Sequence, residues 1–449
     1  MDRRGPDPAR PNRLTIARLA WRRLISYAAP ALPLAILGLP LNVYLPTFWA
    51  GTMGVSLGMV GLVLTLVRLT DVIVDPAIGR LSDRLRTRIG RRKPIIIAAI
   101  PVGLIGGAAL FFPSQGAGPI WLAFSYMALT LGWSMIALPW QAWGAELSDD
   151  YRERTRIVSW REGLTLAGIV VSAVIPAALG LSDPGATLHL LAIICAALSI
   201  PALIALLTQV AEPAITTEIP QPGLAESLRT AWANRPFRRL LAAWALNGIA
   251  NGLPAALFLL LCREVLHAAD QSGPLLLAFF ATGIISVPFW SWVSNRIGKH
   301  RAWAWAMIWT CAAFLPVLLL GPGDVLGFLL ICLGTGAGLG ADLALPPSMQ
   351  ADVIDLDTLN HGEPRAGLFF AAWTMAQKAG NALSAGLAFG ILDLVGFNSA
   401  GGNASLQLET LIALYCLLPI GLKLSAVICM WNFPINAAEQ ARIRAELAR

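Results

Sequence analysis

Apolar stretches of bilayer-spanning length alternate with short polar connections along the whole chain. Roughly twelve can be marked, each near the ~20 residues that an α-helix needs to cross hydrocarbon. They fall near 26–49, 57–79, 95–113, 118–145, 158–180, 187–208, 237–263, 273–293, 302–320, 324–347, 366–392 and 408–431. The pattern predicts an all-α integral membrane protein. The longest polar connection, 209–236, holds Glu212, Pro213, Glu218, Pro220, Pro222 and Glu226. It divides the chain into an N-terminal half, 1–208, and a C-terminal half, 237–449.

The second stretch breaks its own pattern. Gly58–Gly79 reads GMVGLVLTLVRLTDVIVDPAIG and contains Arg68, Asp71 and Asp75. Spacings of three, four and seven put these charges on one helical face. Each costs about 2.5–3.5 kcal/mol at membrane depth on insertion scales. Such a stripe points to a cation site. Asp71 and Asp75 can share one ion, a proton or sodium. When both are ionised they repel, and Arg68 offsets that by opposite charge.

Composition supports the membrane reading: 56% of residues are hydrophobic and 13% charged, against about 25% charged in soluble proteins. The net charge of +7 does not imply nucleic acid, because the basic residues are sorted by side. Arg80 to Lys93 crowd the connection after helix two, and Arg152, Arg154 and Arg156 the one after helix four. Odd-numbered connections carry essentially Arg263 alone. The positive-inside rule then places both termini in the cytoplasm of a multi-pass inner (plasma) membrane protein. The first apolar run is too long for a signal peptide, so helix one is expected to stay uncleaved. Six cysteines lie in or beside apolar runs without metal spacing and read as small buried hydrophobes. With no nucleotide loop, metal cluster or nucleophile arrangement, an enzyme is disfavoured.

The two halves echo each other. Leu81-Ser82-Asp83-Arg84 follows Pro76, and Ile89-Gly90-Arg91-Arg92 comes after it. In the second half Ser294-Asn295-Arg296-Ile297-Gly298-Lys299 follows Pro288. Ala145-Glu146 and Ala351-Asp352 form a weaker pair. Two such halves are the signature of the major facilitator architecture, about six helices in each. Gly79 is expected to allow close helix approach. Asp83, Arg84, Glu146, Asp352 and Arg365 are candidates for a cytoplasmic gate.

The segment DVIVDPAIGRLSDRLRTRIGRRKP resembles the helix-two motif of the glycoside–pentoside–hexuronide:cation symporters, the melibiose permease family. PPSMQADVIDLDTLNHGEPRAGLFFAAWTMAQKAG and ELSDDYRERTRIVSWREG resemble the family's helix ten to eleven and helix four to five regions. The resemblance implies that Asp71 and Asp75 bind the coupling cation, with Arg68 and Lys378 completing a charge network. It implies that Arg161 lies near the sugar. Two departures stand out. Ala137 occupies the place of a further cation ligand in sodium-coupled members, which favours a proton over sodium. Helix one carries no sugar-gripping acid.

Further substrate contacts are expected from Asn247 and Asn251, four apart on helix seven, whose amides read hydroxyls well. Trp140 and Trp373 are candidates for stacking on a sugar ring, with Gln141 and Thr374 beside them. Lys423 is expected to snorkel to the cytoplasmic face. The run Gly334–Gly340 reads as close packing or a flexing point. The predicted protein is a cation-coupled symporter for carbohydrate transport, a functional monomer with a small-molecule substrate, lipid neighbours and no cofactor. The alternative cargo is an amphiphile, a lysolipid or a drug-like solute. A non-transporting membrane sensor is a weaker reading. The one metal in view is sodium at Asp71 and Asp75.

Overall fold

The computed structural model describes residues 19–148, 151–181, 183–212, 229, 232–361, 366–399 and 401–447. Within them twelve long helices follow one another. They are α1 (Trp21–Gly51), α2 (Leu57–Arg84), α3 (Lys93–Phe111), α4 (Pro119–Glu146), α5 (Tyr151–Ala178) and α6 (Pro184–Gln209), then α7 (Arg235–Glu264), α8 (Ser272–Ile297), α9 (Lys299–Phe314), α10 (Val325–His361), α11 (Ala366–Leu394) and α12 (Ser405–Trp431). A short α13 (Ala437–Leu447) ends the described chain. Most of the central connection, 213–228 and 230–231, lies outside the described residues.

Among the described residues, eleven of these helices are long and apolar enough to cross a membrane. The other long helix is α11, 29 residues in length, whose polarity is raised by Gln377, Lys378 and Asn381. Two helices are locally unwound: π-turns interrupt α1 at Pro40–Tyr44 and α12 at Ala413–Leu417. Such turns often mark functional positions.

Buried apolar side chains form three clusters. The largest lies at the helix ends far from the termini and joins both halves, from Leu45 and Val60 to Leu257, Phe328 and Phe389. On the terminus side the core splits. Leu24, Ile96, Trp143 and Leu206 belong to a cluster of the first half. Phe237, Trp303, Val353 and Met430 belong to a separate cluster of the second. Burial of apolar surface therefore closes the far side, while each half packs by itself near the termini.

The repeated loop motif has a physical cause. Gly90 and Gly298 both adopt positive φ, 116° and 88°, and each sits just before the next helix. Only glycine visits this region freely. At Gly90 the chain also passes tightly over Glu212, whose carboxylate accepts from the backbone nitrogens of Arg91, Arg92 and Lys93 at 2.8, 3.2 and 2.8 Å. An anion there satisfies the free donors at the start of α3. Arg91 and Arg92 reach back to Glu146 at 2.5 Å, and Lys299 reaches Asp352 at 2.5 Å. The two echoes noted in the sequence are thus one device used twice.

Gly336 and Gly340 are close-packed as expected, against the Phe279 carbonyl and the Ser286 hydroxyl. Gly79 is not: a Cβ there would meet nothing within 4 Å. That side of the helix faces open space. Gly90→Ala should therefore lower the thermal midpoint in detergent, through a left-handed backbone cost of about 1–2 kcal/mol and a clash with Glu212. Gly79→Ala should leave it unchanged or slightly higher. Equal shifts for the two variants would contradict this account.

Candidate functional site

Small residues let α2 and α11 approach closely. A Cβ on Gly61 would come within 2.9 Å of the Phe389 Cβ and 3.2 Å of the Ala385 carbonyl. Thr65 donates to the Ala382 carbonyl across the same seam at 2.9 Å. Beyond that seam, toward the termini, α2 presents Asp71 and Asp75 one turn apart, and α11 presents Lys378 between them. The Lys378 ammonium lies 3.5 Å from Asp71 Oδ2 and donates a closer hydrogen bond to Asp75 Oδ2. The side chains are 10%, 14% and 30% exposed, respectively, for Asp71, Asp75 and Lys378. Asp75 Oδ1 is buried and has no hydrogen-bond partner among the described residues.

Arg68 does not join this triad. Its Nε donates to the Tyr126 hydroxyl at 2.8 Å, and its Nη2 donates to Asn42 Oδ1 at 2.7 Å. Asn42 sits in the π-turn of α1 and is itself held by donating to the Gly38 carbonyl at 2.7 Å. The expected four-charge network is therefore two units. One is a carboxylate pair neutralised by lysine, and the other is a guanidinium fixed by neutral partners.

A cavity of about 350 Å³ lies between the halves on the far side of Arg68. Much of its wall is apolar, including Phe258, Phe279, Phe280 and Phe314. Asn42 and Arg68 supply polarity from the first half, and Asn251, Asp342 and Lys423 from the second. Asp342 is 8% exposed. It accepts from Trp303 Nε1 at 2.7 Å and Asn251 Nδ2 at 2.8 Å, with Lys423 Nζ 3.7 Å away. Lys423 does not snorkel. It is 1% exposed and donates to Asn247 Oδ1 at 2.7 Å. Its ammonium stays in the bundle because both partners are there. Asp342 was missed in the sequence, although its signal was present: an acid deep within the apolar run 324–347, far from Asp324 at its edge.

Several expected substrate contacts stand elsewhere. Asn251 lines the cavity, but Asn247 is fully buried behind Lys423 and does not. Trp140 is buried, and its indole donates to the Tyr27 carbonyl at 2.8 Å. Trp373 stacks on Trp244, with ring centroids 4.4 Å apart. Neither indole lines this cavity. Arg161 pairs with Glu162 at 2.7 Å. Gln141 and Thr374 are exposed but off the cavity wall. Ala137 is buried and offers no side-chain oxygen.

Among the gate candidates, Glu146 pairs within the first half and Asp352 within the second, where Gln440 of α13 also donates to it. Arg84 is exposed. Arg365 and the Asp83 side chain lie outside the described residues. For Arg68, the forked hold predicts that Arg68→Lys and Asn42→Ala each lower the thermal midpoint. Combined, they should fall short of the sum, by a coupling of about 0.5–3 kcal/mol. Simple additivity in that double-mutant cycle would remove the link.

A symporter of Synechocystis sp., itself uncharacterized, is 25% identical over 97% of this chain and 98% of its own. The sodium-dependent lysophosphatidylcholine symporter 1 of Gallus gallus is 22% identical over 93% of this chain and 87% of its own. The crystal structure of the nucleoside transporter NupG shares the fold, with a TM-score of 0.62 at 13% identity over 92% of this chain and all of that one. The family model for the MFS/sugar transport protein matches residues 26–437. With that match over nearly its whole length, the chain belongs to the MFS/sugar transport family, major facilitators of the glycoside–pentoside–hexuronide type.

Proposed function

We propose that the protein is a cation-coupled symporter of a small hydroxylated solute, a sugar or glycoside, in the inner membrane with both termini cytoplasmic. The observation that carries this reading is Lys378 of one half seated between Asp71 and Asp75 of the other. A lysine there acts as a resident counter-ion. A coupling cation entering the carboxylate pair releases it, and the unpartnered Asp75 Oδ1 gives that cation a ready acceptor. Because Lys378 belongs to the opposite half, loading the site changes how the halves hold together. That supplies the link between cation binding and alternating access.

On this reading the structure is the inward-facing state, closed outside by the joint apolar cluster and parted inside. The cation and solute strengthen each other's binding by one coupling energy. A proton is the preferred cation, since Ala137 adds no third side-chain oxygen and a titrating carboxylate needs none. The sodium dependence in the name of the avian relative keeps sodium as the competitor. Four phenylalanines in the cavity wall favour a second cargo reading, an amphiphile such as a lysolipid.

Uptake into membrane vesicles separates these readings when glycosides and lysophosphatidylcholine are offered under imposed proton or sodium gradients. Wild type should accumulate a glycoside uphill under the proton gradient. Asp75→Asn should lose uphill accumulation while keeping solute exchange. Undiminished gradient-driven uptake by Asp75→Asn would sink the proposal. Accumulation of the lysolipid alone would replace the cargo.

A further inference from the structure

Helix one lacks an acid to grip a hydroxylated solute. The cavity nevertheless has a carboxylate, and it comes from α10. Asp342 is oriented on both sides, with Oδ1 held by Trp303 and Oδ2 by Asn251. Lys423 is oriented separately, by Asn247. The ammonium and carboxylate then stop 3.7 Å apart, well beyond the ~2.7–2.9 Å of a direct charge-assisted hydrogen bond. Neutral partners therefore hold two opposite charges close together without letting them collapse onto each other. Asn247 Nδ2, beside the ammonium, is buried and unpartnered among the described residues. Asn251, Asp342 and Lys423 all line the cavity.

We propose that Asp342, Lys423 and Asn251 form a hydroxyl-reading subsite on the second half of the cavity. One alcohol group of the solute donates to Asp342 Oδ2 and accepts from Lys423 Nζ, and a neighbouring hydroxyl bonds the Asn251 amide. An alcohol is the group that completes this pair, because it donates and accepts through one oxygen. A carboxylate or phosphate has no proton for Asp342, and a trimethylammonium group has no acceptor for Lys423. The subsite faces Arg68 and Asn42 on the first half, so a bound solute touches both halves. This inference rests on the reading of the cargo as a sugar or glycoside. The competing role for the pair is a static tie between α7, α10 and α12.

Equilibrium binding to purified full-length protein decides between them. The probes are phenyl glucoside, galactoside and xyloside, followed by the monodeoxy analogues of whichever binds. In wild type, removal of the read hydroxyl should weaken binding about 10- to 100-fold, as expected for a hydrogen bond to charged groups. In Asp342→Asn that discrimination should collapse at the same hydroxyl, with the other positions unaffected and cation binding retained. Asn251→Ala, a change at a cavity-exposed side chain, should blunt discrimination at the adjacent hydroxyl. It also decides the matter if Asp342→Asn does not fold. Full discrimination in the folded variants overturns the subsite but leaves the sugar reading standing. Binding of lysophosphatidylcholine by wild type, with none of the glycosides bound, overturns both.

Discussion

One lysine between two aspartates is the constraint on which the arrangement of the two halves depends. A carboxylate left charged and unpaired at this depth is costly, and the ammonium that lies against both comes from the other half. Asp71 and Asp75 come from α2 and Lys378 from α11. Burying such a group is favourable only when its partner is present. The charge requirement thus makes the interface between halves part of the site. Glycine and alanine along the α2–α11 seam bring the backbones close enough for Lys378 to reach.

Around this triad the apolar core is unevenly shared. The far side is sealed by one cluster drawn from both halves, whereas the terminus side has two independent clusters. Hydrophobic burial is non-directional and scales with area, so each half can stay packed while its contact with the other changes. The loop devices support this independence. Glu212 and Glu146 fix the first half's α2–α3 connection, and Asp352 does the same for the second half's α8–α9 connection. These ion pairs among the described residues each join elements of one half and stiffen it as a body.

The fold was legible because membrane helices announce themselves by length and hydropathy, and because charges within them are costly enough to stand out. Asp71 and Asp75 were legible on that ground, whereas Lys378 came from the family resemblance. The same logic applied to Asp342, which was overlooked inside a glycine-rich run. Lys423 was misplaced for a different reason. Depth along a helix is written in the sequence, but the buried Asn247 and Asp342 beside it are tertiary facts. Arg68 shares a face with Asp71, yet a long guanidinium side chain can turn toward Tyr126 and Asn42 instead. Trp140 and Trp373 were judged by residue type alone. Whether an indole is free for a ligand depends on what already occupies its ring and nitrogen.

The central claim is competition between Lys378 and the coupling cation for one carboxylate pair. Its most direct test is cation affinity, measured by calorimetry without solute on wild type and Lys378→Gln, with protons and sodium titrated separately. The account predicts that the variant binds the coupling cation more tightly, about tenfold or more for each ~1.4 kcal/mol of competition relieved. Affinity that is unchanged or weaker in Lys378→Gln would contradict it.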